Sequence, residues 1–216
     1  RAGLEGVKLN YLADESYDIN DLDNQIVKLM QDKSVVYYDF DAHHSYDSRF
    51  KDWVNTVGHT MIQISAQQLV NNMRIIKDDY EQYLLTKAST ISALAHNKVF
   101  RAAKKATYEY ELEAEFIYAS IQHGAKQSYL PIIGSGANSC ILHYNTNDNL
   151  IDKSGVILID AGAEYMNYSS DVTRTIPASG KFSPEQTAIY NIVLKAQLEA
   201  LEQAVPGANF NMLNAA

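Results

Sequence analysis

Asp160 and Asp171 stand eleven residues apart and are the residues best placed to do chemistry. Asp160 closes the apolar run Val156-Ile157-Leu158-Ile159, and Asp171 sits inside a β-prone run that includes Val172-Thr173-Arg174-Thr175. A hairpin turning about Tyr165-Met166 sets position 160 opposite position 171. Directly opposed residues on one sheet face have Cβ atoms about 5 Å apart. Two ionised carboxylates that close repel, so one must take a proton or a cation must sit between them. Two metal ions bridged by carboxylates typically lie about 3.5–4 Å apart, and the spacing fits half of such a dinuclear site. Oxygen ligands favour a hard or borderline cation such as Mg²⁺ or Mn²⁺. The same pattern also describes two turn or edge-strand aspartates in water, and Asp160-Ala161-Gly162 is turn-like. The spacing alone leaves both readings open.

Upstream lies Ile133-Gly134-Ser135-Gly136-Ala137-Asn138-Ser139-Cys140-Ile141-Leu142-His143. Gly134-Ser135-Gly136 is a turn signal. It fails the dinucleotide fingerprint, because position 139 is Ser and no helix follows. His143 alternates in phase with Ile141 on an expected short strand. A lone histidine there is ordinarily structural, but adjacent strands of one sheet can carry it to the carboxylate pair. It could then donate a hydrogen bond to a developing oxyanion. Cys140 reads as a small buried hydrophobe. His43-His44 mimics a metal dyad, yet adjacent strand residues point to opposite faces, so a solvated loop is expected. Asn167-Tyr168-Ser169 matches a glycosylation sequon, taken as chance because no signal-peptide pattern opens the chain.

The elements that must position these residues follow from periodicity. Residues 19–31 read as a helix with Leu22, Ile26 and Leu29 apolar, 34–40 as a strand, and 46–57 as a helix with Phe50, Trp53 and Val54 on one side. Residues 60–76 read as mixed linker. From Asp78 a long helix carries the stripe Tyr80, Leu84, Ala88, Ile91, Ala95 and Val99. A second helix spans 109–122, with Leu112, Phe116, Ile117 and Ile121 inward and Gly124 as its stop. Strands are expected near 128–133, 139–144, 156–161 and 167–176. Ser183, Pro184 and Gln186 form a capping box with proline at the first helical position, opening a helix to about 203. The fold class is α+β.

Composition narrows the function. The chain has 216 residues, is 46% hydrophobic and 20% charged, and carries a net charge of -8. An acidic chain without a basic run is a poor nucleic-acid binder. No apolar stretch reaches the roughly 18 residues that span a bilayer. One cysteine excludes an internal disulfide and fits a reducing, cytoplasmic setting. Both ends look cut, so a fragment is expected.

In order, the segments 128–147, 156–165 and 170–183 resemble the aminopeptidase P and prolidase family, metallopeptidases with the pita-bread fold. The likeness extends more weakly back to about Met73. It implies a domain boundary there: 1–72 as the latter part of an α/β amino-terminal domain, 73–216 as the first half of the pita-bread domain. It implies that Asp160 and Asp171 are metal ligands, with Asp171 bridging both ions. His143 matches a histidine that hydrogen-bonds around the scissile peptide, and Tyr129 a tyrosine that supports a metal-binding carboxylate. The family typically uses two Mn²⁺ ions, removes an N-terminal residue preceding proline, and forms dimers or tetramers.

The family's other ligands are a histidine and two glutamates from the second half of its domain. This chain has no His after His143 and no Glu after Glu202. Glu185, Glu199 and Glu202 fall on the helix that starts near Ser183 and read as solvated. The chain alone is therefore expected to bind metal poorly, to be inactive, and to expose an apolar patch. Xaa-Pro dipeptidase, methionine aminopeptidase and a non-catalytic pita-bread binding module are the alternatives. The preceding domain argues against the second, and joint retention of Asp160, Asp171 and His143 argues against the third.

Overall fold

The computed structural model describes residues 3–40, 46–58 and 60–215. The His43-His44 pair lies outside them. The chain divides into two compact units, residues 1–77 and 78–216.

The first unit contains α1 (Gly3–Tyr11), α2 (Leu22–Met30), β1 (Val35–Tyr37), α3 (Tyr46–Val57), β2 (Ile62–Ile64) and α4 (Ala66–Ile75). β1 and β2 are parallel, with Val36 opposite Gln63. A parallel pair needs a crossover, and α3 supplies it. Phe50 and Trp53 of α3 are buried against Met30 and Met61. The Asp23 carboxylate accepts from Arg49 Nη2 and Trp53 Nε1, both at 2.7 Å, tying α2 to α3. Residues 60–76 are not a linker: they form β2 and α4. Both elements are short and bury no residue, so the alternation of Ile62-Gln63-Ile64 and the Leu69, Val70 and Met73 stripe are brief signals in sequence. Leu29 is also exposed, and Met30 takes the buried position in its place.

The second unit starts with a long helix, α5 (Asp79–Ala103), capped by Asp78 and Glu81 in a reciprocal pair of 2.8 Å bonds. Its buried stripe is Leu84, Ala88, Ile91, Ala95 and Val99, while Tyr80 stays exposed. α6 (Glu109–Gln122) buries Leu112 and Phe116 against α5 and stops at Gly124, whose φ of +74° suits glycine. Ile121, expected inward, is exposed in that last turn. Two three-stranded antiparallel sheets follow. One orders β3 (Lys126–Gln127), β6 (Ala163–Tyr165) and β7 (Tyr168–Ser169). The other orders β4 (Ile132–Ser135), β5 (Val156–Ala161) and β8 (Val172–Pro177). α7 (Pro184–Glu202) begins at the expected capping box of Ser183 and Gln186, and α8 (Phe210–Ala215) ends the described chain.

β5 explains why the sheet has a working face. Ile157, Ile159 and Ala161 are fully buried in one cluster with Ala95, Val99, Leu112 and Phe116. Val156, Leu158 and Asp160 alternate onto the other face and stay half-buried. The period of two along a strand makes this separation automatic. Each large aliphatic side chain buried on the helix face contributes about 1.5–3 kcal/mol, and that burial fixes which way Asp160 points. α7 buries no residue, and Ile189, Ile192, Val193, Leu198 and Leu201 are exposed along it. Among the described residues no helix is long and apolar enough to cross a membrane.

Gly162 is where β5 passes from one sheet into the other as β6. A Cβ built there would stand 1.8 Å from the Ser170 carbonyl oxygen and 3.1 Å from Ser128 Oγ. Behind this crossing, Ser92 Oγ and Ser170 Oγ lie 2.7 Å apart, and Ser92 Oγ accepts from Ala163 N–H at 2.7 Å. His96 of α5 is buried beside them, with Nε2 3.1 Å from the Ala161 carbonyl oxygen. A carbonyl only accepts, so Nε2 carries the proton. Its Nδ1 has no hydrogen-bond partner among the described residues.

Gly162→Ala is expected to cost about 1–3 kcal/mol or more by overpacking against backbone, read as a lower urea midpoint; an unchanged midpoint contradicts the close approach. Burial, helped by the Arg174 charge, pushes His96 below its ordinary 6.5 and outweighs the Ala161 carbonyl bond and the Asp160 charge, which favour the protonated ring. Below pH 6.5 the unfolded chain then binds a proton that the folded chain refuses. His96 therefore contributes stability fully above 6.5 and loses it as pH falls. Unfolding free energy should drop between pH 6.5 and about 5 more steeply in the parent than in His96→Gln; equal slopes would count against it.

Candidate metal centre

The hairpin that carries the aspartates turns one residue later than the symmetric reading expects. Tyr165 pairs with Tyr168, and the turn is Met166-Asn167. Both turn residues have positive φ, +48° and +68°, as a two-residue hairpin of the primed type requires. Asn tolerates that conformation; Met gives no warning of it. Asp160 consequently pairs with Thr173, not with Asp171. Moving the turn by one residue moves the register by two, and the side-chain period is also two. Asp171, just before β8, keeps the side of the sheet that Asp160 faces but becomes a diagonal neighbour.

Tyr129 closes the gap. Its hydroxyl lies 2.5 Å from Asp160 Oδ1 and 3.0 Å from Asp171 Oδ1. The two carboxylate oxygens are thus no further apart than those lengths laid end to end. A phenol has one proton to give, so it is shared between two acceptors. Burial, and then the two aspartates, push the Tyr129 hydroxyl well above its ordinary pKa of 10, which keeps that proton in place. Ser128 fixes the segment: its N–H donates to the Gly162 carbonyl at 2.9 Å and its Oγ donates to the Ser170 carbonyl at 2.9 Å. One residue therefore ties Tyr129 to both strands that carry the aspartates.

His143 reaches the site by a different route from the one expected. No strand forms over 139–144. Residues Gly136–Cys140 make a 3-10 helix, and His143 follows it with φ +54°. Ser139 Oγ donates to the Gly136 carbonyl at 2.6 Å, a local side-chain bond of the kind that competes with sheet pairing. Ile141 and Leu142 are exposed, as is Cys140, which is not the buried hydrophobe its type suggests. The loop nonetheless brings His143 into one cavity of about 440 Å³ with Tyr129, Asp160 and Asp171. Leu130, Ile132 and Asn145 complete its lining. These three were not anticipated; only the pairing of Ile132 with Asp160 places it there.

Two carboxylates on one face, braced by a hydroxyl, suit a hard cation in kind. They fall short in number: among the described residues no group of three or more His, Cys, Asp or Glu could hold a metal ion. The donor set fits half a cage.

Comparison with known proteins identifies the family of the chain. The sequence pattern of metallopeptidase family M24 matches residues 83–216. The Xaa-Pro aminopeptidase of Haemophilus influenzae is 33% identical over 99% of this chain and 49% of its own length. A probable Xaa-Pro aminopeptidase of Emericella nidulans is 45% identical over 68% of this chain and 33% of its own. The Pseudomonas aeruginosa aminopeptidase PepP superposes with a TM-score of 0.92 at 37% identity, over all of this chain and 51% of that one. Zn-substituted E. coli aminopeptidase P in complex with product gives 0.91 at 31% identity, over 99% and 51%. The α+β fold is thus that of about half of an aminopeptidase P chain. The chain spans about half the length of these solved relatives, and it belongs to metallopeptidase family M24.

Proposed function

We propose that the chain supplies the carbonyl-facing half of the active site of an Xaa-Pro aminopeptidase, a hydrolase that releases an N-terminal residue preceding proline. The observation that carries this reading is the Tyr129 hydroxyl set between Asp160 and Asp171 in the cavity that also holds His143. A carboxylate pair held that close has little use in water and an evident one around cations. Its oxygen donors favour Mn²⁺ or a similar ion. When bound, a pair of such ions lowers the pKa of a water and polarises the scissile carbonyl.

The protein's own groups do the rest. Asp160 and Asp171 would hold the ions, and Tyr129 would fix the carboxylate oxygens before metal arrives. His143 would donate to the carbonyl oxygen as it gains charge, an interaction stronger in the transition state than in the substrate. Leu130 and Ile132 would form an apolar wall beside the reacting peptide. The remaining ligands would come from residues beyond the 216 of this chain, and the exposed apolar residues of α7 fit a surface that further chain covers.

Four outcomes follow. The 216-residue chain alone should show no Xaa-Pro hydrolysis and only weak Mn²⁺ binding by calorimetry; turnover of an Xaa-Pro peptide by the purified chain overturns the half-site reading. At the full length of its relatives, Asp171→Ala should lose metal loading and activity together, and near-normal cleavage by that variant excludes the assigned role. Tyr129→Phe should keep the metal stoichiometry but weaken affinity about 10–100-fold, as loss of a ligand-orienting group does. Peptides of three or more residues should be cleaved in preference to Xaa-Pro dipeptides; the reverse preference identifies a dipeptidase.

A further inference from the structure

His143 sits on a loop, yet the chemistry asked of it tolerates little movement. Glu109, the first residue of α6, is fully buried and lies under that loop. Its Oε1 accepts from the Ser135 N–H at 2.7 Å and from Asn138 Nδ2 at 3.1 Å. Its Oε2 accepts from the Tyr144 hydroxyl at 2.6 Å and from the Asn149 N–H at 3.1 Å. The Glu109 N–H donates in turn to the Asn149 carbonyl at 3.0 Å.

Ser135 ends β4, Asn149 ends the loop, and Tyr144 is the residue after His143. The start, the middle and the end of the segment therefore converge on one side chain. All four partners donate, which matches an acceptor-only carboxylate. The Tyr144 hydroxyl also accepts from Asn138 Nδ2 at 3.1 Å, so its own proton is directed at Glu109. Burial and the Glu109 carboxylate push that hydroxyl up to about 12, which keeps the bond made across the neutral range. Tyr144 is buried while His143 is exposed to the cavity. Pinning the one residue inward presents the next one outward.

We propose that Glu109 is a positioning residue for His143, acting through Tyr144. The proposal rests on the reading of His143 as the donor to the substrate carbonyl. Glu109 is not part of the cavity lining, and its side-chain hydrogen bonds go to Ser135, Asn138, Tyr144 and Asn149, so its effect passes through the loop. A catalytic group displaced by about 1 Å can lose about a hundredfold in rate. Glu109→Gln keeps the shape but turns one acceptor into a donor facing other donors. It is expected to lower kcat at least tenfold with KM and metal stoichiometry near those of the parent, because a transition-state contact is what loosens.

The test is a double-mutant cycle on the metal-loaded enzyme at the full length of its relatives, read as kcat and KM on an Xaa-Pro peptide. His143→Ala should lower kcat, and adding Glu109→Gln to it should lower kcat by less than twofold more. If the two losses multiply, or if Glu109→Gln alone leaves kcat intact, Glu109 does not act through His143. If His143→Ala leaves kcat unchanged, the reading of His143 itself fails, and the two failures are told apart. Should Glu109→Gln not fold, Tyr144→Phe makes the same test while keeping the carboxylate. It should lower kcat in the parent and not in the His143→Ala background, and equal losses in both overturn the proposal.

Discussion

The architecture of the second unit is organised by an electrostatic constraint: two carboxylates must be brought close on one side of a sheet and kept there. Two like charges about 4 Å apart near a protein surface repel by about 4 kcal/mol, and folding has to absorb that before any cation arrives. Three features do so. Burial of Ile157, Ile159 and Ala161 against α5 and α6 turns Asp160 outward. The bare backbone at Gly162 lets Ser170 come in close and carries Asp171 with it. Tyr129 lends one proton to both acids. The apolar core thus provides the stability, and the site spends part of it on an arrangement unfavourable by itself.

The same division of labour appears on the far side of the cavity. The loop from 136 to 149 has little apolar burial, and Ile141 and Leu142 face solvent. Hydrogen bonds hold it in place. Besides Glu109, α6 contributes Glu113, which accepts from Asn147 Nδ2 at 3.0 Å, and the Asn147 carboxamide also accepts from the Ile133 N–H at 2.9 Å. Glu109 and Glu113 are four apart and so share a helix face. A satisfied buried polar network fixes geometry more sharply than apolar contacts of similar size, and a loop bearing a hydrogen-bond donor needs that sharpness. α6 therefore serves the core with Leu112 and Phe116 and the site with its two glutamates.

How much of this could be read from sequence follows from what each signal measures. Apolar periodicity makes α5, α6 and β5 legible and the Ser183–Gln186 capping box marks the start of α7, which buries nothing, while α4 and β2 are too short for their patterns to stand out from a linker. The parity of strand positions survives a slipped register, so Asp160 and Asp171 could be placed on one side although the turn fell at Met166-Asn167 and not one residue earlier. Met166 at positive φ has no sequence signature. The run 139–144 alternates like a strand, but Ser139 and the glycine at 136 make local turns that alternation does not register. Glu109 read only as a helix start, because a glutamate in a first turn ordinarily faces water; nothing short of the fold reveals four donors converging on it. Tyr129 entered through likeness to a family, and its contact with both acids emerged from the geometry.

The central claim is that Asp160 and Asp171 are half of a two-metal cage. Anomalous diffraction from Mn²⁺-loaded crystals of the enzyme at the full length of its relatives addresses it most directly. The account predicts two anomalous peaks about 3.5–4 Å apart, with Asp160 and Asp171 both within bonding distance of the metal. A map with no peak within bonding distance of either carboxylate would contradict it.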